Sequence, residues 1–63
     1  MQLIAEYENF RVVLNVKKHL YTYEQKERIL WEQIPEQKVP DKYKIRMLIE
    51  IKQDYERNIE WEF

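Results

Sequence analysis

Nucleophilic catalysis needs a nucleophile and a base within hydrogen-bond reach of each other, and this chain has almost nothing from which to build that pair. It contains no Ser and no Cys, one Thr (Thr22) and one His (His19). Without Cys there is neither a disulfide nor a thiolate zinc site. A lone His cannot supply a multi-histidine centre, and carboxylates alone would suit a hard cation. Twelve Asp and Glu among 63 residues offer many acid pairs, but on amphipathic elements such residues ordinarily form a solvated face. The complete absence of Gly removes any phosphate-cradling loop and disfavours tight hairpins. The residue inventory therefore predicts a protein that is not an enzyme and carries no cofactor and no metal.

What remains is binding chemistry, and it concentrates near the C-terminus. Pro40 has the fixed φ favoured in a first helical turn, and Asp41 places negative charge at the positive end of the helix dipole. No Pro or Gly follows, and the spacing predicts one long helix over 41–60. At the helical period Ile45, Leu48, Ile49, Ile51, Tyr55, Ile59 and Phe63 share one side, with Met47 at its edge. That apolar sector spans roughly 200°, about twice what a single neighbour needs. The surplus predicts self-association through Leu48, Ile49, Ile51, Tyr55 and Ile59. The helix also begins basic and ends acidic: 38–46 carry a net +3 and 50–62 a net −3. Its own dipole prefers the reverse, whereas an antiparallel second copy would gain from this order. Trp61, Phe63, Tyr43 and Trp31 are the aromatic residues expected to anchor a protein partner, since Trp and Tyr dominate binding hot spots.

The elements that must position these groups divide unevenly in legibility. Over 22–34, Thr22-Tyr23-Glu24-Gln25 has the form of a capping box, a hydroxyl followed three residues later by Gln. This predicts a second helix that Pro35 terminates. Over 2–20 two patterns compete. Read as a helix, Leu3, Tyr7, Phe10 and Leu14 form a stripe. Read as a hairpin with a two-residue turn at Glu8-Asn9, Tyr7 stands opposite Phe10, Ala5 opposite Val12 and Leu3 opposite Leu14, with Glu6 meeting Arg11 on the other face. Glu is poor turn chemistry, and the first eight residues are rich in helix formers. The expected fold is thus all-α, a small three-helix bundle over 2–20, 22–34 and 41–60. The alternative is α+β, an N-terminal strand or hairpin followed by two helices.

That alternative carries a second functional reading. A strand at 10–17 before two helices has the outline of a ribbon-helix-helix DNA-binding regulator, in which paired strands from two chains lie in the major groove. Arg11, Asn15 and Lys17 would face the nucleic acid, with Lys42 and Lys44 at a helix start holding phosphate. A net charge of −1 argues against it, because no global field draws the chain to nucleic acid.

Sixty-three residues form a single domain, and a domain this small is marginal without disulfide, metal or association. The first residues lack the basic and apolar regions of a signal peptide, and no apolar run is long enough to span a bilayer. With 37% charged and 44% hydrophobic residues the expectation is a soluble, cytoplasmic, non-enzymatic protein-interaction module. It would act as a small adaptor or inhibitor of a larger protein, homodimeric, with an unidentified protein partner and no membrane.

Overall fold

The structure, a computed structural model, describes residues 1–61, with side chains through Asn58. Four antiparallel strands follow one another, β1 (Gln2–Tyr7), β2 (Phe10–Asn15), β3 (Leu20–Glu27) and β4 (Leu30–Ile34), and lie in the sheet in that same order. A 3₁₀ turn (Glu36–Lys38) leads to one helix, α1 (Asp41–Trp61). The fold is α+β. It is neither the three-helix bundle nor the all-α class that the sequence predicts, and among the described residues only the third of the expected helices forms.

The hairpin pattern over 2–20 is the one that forms, in the register expected from alternation. Leu3 pairs with Leu14, Ala5 with Val12, Glu6 with Arg11 and Tyr7 with Phe10. One-residue slippage would move every apolar side chain to the wrong face, so the period of two outweighs the helix formers before Glu8. The segment 22–34 is a second hairpin. Thr22 sits opposite Val13 in β3, and Tyr23, Gln25 and Glu27 pair with Ile34, Glu32 and Leu30 of β4. The apparent capping box is two strand residues three apart, which point to opposite faces of the sheet.

Without glycine, each turn places a bulkier residue in the left-handed region. Glu8, His19 and Arg28 have φ of 55°, 53° and 60°. A side chain there costs on the order of 1–2 kcal/mol. The ladders on either side absorb that cost, so lack of Gly did not exclude tight hairpins after all.

Alternation then sorts the sheet into two faces. One carries Leu3, Ala5, Tyr7, Phe10, Val12, Leu14, Tyr21 and Tyr23, and it receives α1. Ala5, Val12, Leu14, Val39, Met47 and Ile51 form the buried core. Met47 and Ile51, both fully buried, mark the centre of the helix's inner face. The helical wheel alone places Met47 at the edge of that face.

Candidate protein-interaction site

A sheet of four strands is roughly 15–20 Å across, whereas one helix with its side chains covers about 10 Å. The helix here packs on β1 and β2, so the part of the inner face over β3 and β4 is left to shorter cover. The chain after Ile34 supplies some of it, because Val39 is buried and Lys44 Nζ reaches back 3.3 Å to Glu36 and 3.5 Å to Asp41. Burial would lower the Lys44 ammonium, but hydrogen bonding and charge from Glu36, seconded by Asp41, hold it above the ordinary lysine value. Beside this clasp the Tyr23 phenol is pushed up, first by burial and then by the Glu36 carboxylate.

Beyond the clasp the inner face stays open. A cleft of about 540 Å³ lies between the second half of α1 and the start of β3, lined by Leu14, His19, Tyr21, Tyr23, Leu48, Ile51, Lys52 and Tyr55. Its floor is core (Leu14, Ile51), its walls are three tyrosines and Leu48, and its basic groups are His19 and Lys52, with no carboxylate in the lining. The β3 wall also ends in an unpaired edge. The Lys26 N–H donates to the Asn9 carbonyl, so alternation along the ladder turns the backbone groups of Tyr21, Tyr23 and Gln25 toward β4. Ile34, the last residue of β4, is opposite Tyr23, which leaves the N–H and C=O of Tyr21 with no strand beside them.

Next to the cleft, the outward side of α1 exposes two isoleucines, Ile45 (57%) and Ile49 (52%). Charged residues frame them: Lys42, Arg46, Glu50, Lys52 and Glu56 are all exposed. Leu48, half-buried at the cleft wall, joins this patch to the aromatic one.

The structure separates the residues expected to act together. Of the self-association set, Leu48 and Tyr55 line the cleft, Ile49 is on the outer side of α1, Ile51 is spent in the core, and Ile59 lies outside the described side chains. Of the aromatic anchors, Tyr43 is half-buried, its ring 5.0 Å from Tyr7 and 6.0 Å from Phe10, and so packs the monomer. Trp31 is on the opposite face of the sheet, under the Arg11 guanidinium at 4.3 Å. Trp61 and Phe63 lie outside the described side chains. The sequence reading missed His19, Tyr21 and Tyr23 as lining residues because it placed them at or inside helices that do not form.

The DNA-binding outline loses its framework. β2 is an inner strand, paired with β1 and β3 along its length, so it has no edge to offer another chain, and a single helix follows the sheet instead of two. Arg11 is ion-paired with Glu24, and the Asn15 side chain accepts the N–H of Lys18 in the β2–β3 turn, where Lys17 is exposed. Lys42 lies 5.5 Å over the Tyr43 ring, and Lys44 is held in the clasp.

No helix among the described residues is long and apolar enough to cross a membrane. No group of three or more His, Cys, Asp or Glu among them is placed to hold a metal ion. Comparison with protein-family models, with curated proteins and with solved structures finds no match to this chain.

Proposed function

We propose that the chain is a non-enzymatic protein-interaction module that works in the cytoplasm as a small adaptor or inhibitor. Its docking surface is the α1–β3 cleft together with the exposed isoleucines beside it. The observation that carries this reading is the half-covered inner face of the sheet. A soluble domain ordinarily covers such a face, and contiguous exposed apolar surface rimmed by charge marks a binding site. The lining has the composition of a binding surface, with tyrosines providing large, rigid contact area and a polar hydroxyl each. The free backbone groups of Tyr21 add two directional hydrogen bonds for an extended segment laid along β3.

The test is site-specific photo-cross-linking in the native host. A benzophenone side chain at Tyr21 or Ile49 should cross-link to protein, whereas the same group at Glu8, on the β1–β2 turn, should not. Equal capture at all three positions would show that the cleft is no special surface, and capture at Glu8 alone would place the interface elsewhere.

A further inference from the structure

We infer that the occupant of this surface is a second copy of the chain, packed about a two-fold axis with the two α1 helices antiparallel and crossing near Ile49. The inference rests on the cleft being a protein-docking surface, and it adds the identity and direction of the partner.

On α1, Met47 and Ile51 face the chain's own sheet, Leu48 and Tyr55 flank the cleft, and Ile45 and Ile49 point outward. The wide apolar sector is therefore divided in three, and the monomer covers only the first part fully. A helix laid against the Leu48–Ile45–Ile49 flank would cover the other two. The second copy presents that same helix, and an isologous contact needs only one self-complementary patch.

Charge sets the direction. When two antiparallel helices cross at Ile49, Lys42 comes beside the partner's Glu56. Both side chains are exposed in the monomer and neither is in an ion pair among the described residues, so Lys42 has only its contact with the Tyr43 ring to give up. A parallel pair would instead set Lys42 beside the partner's Lys42 and Glu56 beside the partner's Glu56. Exposed ion pairs contribute little energy, so burial supplies affinity and the charges supply orientation.

Length points the same way. The 21 residues of α1 extend about 31 Å, while the six-residue strands β1 and β2 extend roughly 20 Å. Tyr43 stacks at the Tyr7–Phe10 end of the sheet and Tyr55 lies by His19 at the other. The turns after Tyr55 therefore run past the sheet that covers the rest of the helix. In the antiparallel pair, the overhang of each helix reaches the first turns of the other. The two sheets then lean together like a roof, with both clefts facing inward.

A chain without cysteine makes the geometry directly readable by disulfide trapping. The 63-residue chain should sediment as a dimer at micromolar concentration. Ile49→Cys should cross-link to itself on mild oxidation. Lys42→Cys mixed with Glu56→Cys should give the mixed disulfide, and neither should cross-link alone. Lys42→Glu should weaken the dimer by about threefold to tenfold, and adding Glu56→Lys should restore part of it, with circular dichroism unchanged throughout. A monomer over the whole range with no Ile49→Cys cross-link would overturn the inference, as would self-cross-linking of Lys42→Cys, the mark of a parallel pair. A dimer that survives Ile45→Glu with Ile49→Glu but dissolves with Ile4→Pro, at a position whose N–H points away from β2, would overturn it in favour of pairing through the β1 edge. If the chain is monomeric while Tyr21 still cross-links to other proteins in the host, the second copy is wrong and the docking surface stands. If both fail, the docking surface falls too.

Discussion

A glutamate, a histidine and an arginine in left-handed conformation are an unusual way to turn a chain three times. Each contributes a Cβ where glycine has none, and nothing in the backbone hydrogen bonding of the turns requires those side chains. Arg28 is the cleanest case. Its neighbours Glu27 and Leu30 close the β3–β4 ladder, it is exposed, and it makes no ion pair among the described residues. Arg28→Gly should raise stability by about 0.5–1 kcal/mol, the relief of the left-handed penalty less the extra entropy that glycine gives the unfolded chain. Urea denaturation would read this as a higher midpoint at constant slope. A lower midpoint would mean that the arginine makes contacts outweighing its backbone cost. Its partner in the tight turns, Glu8, allows the same substitution as a control, whereas His19 does not, because it also lines the cleft.

At the level of elements, the first hairpin was legible in the sequence only as the alternative to the expected helix over 2–20, and the second was not legible at all; the position of α1 explains the difference. β1 and β2 lie beneath the helix, so every inward position is apolar and the period of two is clean from Leu3 to Leu14. β3 and β4 are only partly covered. Their inward positions accordingly include Gln25, Glu27 and Glu32 beside Tyr21, Tyr23 and Ile34, and the alternation is lost among residues that are also good helix formers. The site inherited that gap. Leu48 and Tyr55 could be read from the helix, but the β3 side of the cleft could not be seen until 20–27 was known to be a strand. The helix itself was legible in extent and width but not in phase, since its wide apolar sector fits several rotations and only the sheet selects one. That phase is testable. Met47→Ala should cost about 2–5 kcal/mol, as for a large side chain removed from a packed core, while Ile49→Ala in dilute protein should stay within roughly 0.5 kcal/mol. Similar losses at both positions would show that the helix is rotated from the orientation described.

For the molecule as a whole, a four-stranded sheet that does not close has two edges, and each exposes backbone groups that another chain can pair with. The edges are protected differently. β4 is short, only five residues, Pro35 follows it at once, and exposed Glu32 sits at its centre. If two β4 strands met antiparallel about their midpoints, each Glu32 would stand opposite the other, a like-charge pair that disfavours the contact. β1 has no charge before Glu6, and Ile4 is half exposed on its open face, but its inner side lies under α1, which limits how another sheet can approach. The single carboxylate on β4 should therefore matter more to solubility than to folding. Glu32→Val raises β-propensity and leaves the core untouched, so its unfolding free energy should stay within about 0.5 kcal/mol of the parent or rise. Light scattering at raised protein concentration should nonetheless show association that the parent lacks. Adding Gln33→Lys beside the valine should suppress it by restoring charge to the edge. Glu32→Val protein that stays as dispersed as the parent would show that length and Pro35 alone suffice to guard β4, and that the carboxylate at its centre is dispensable.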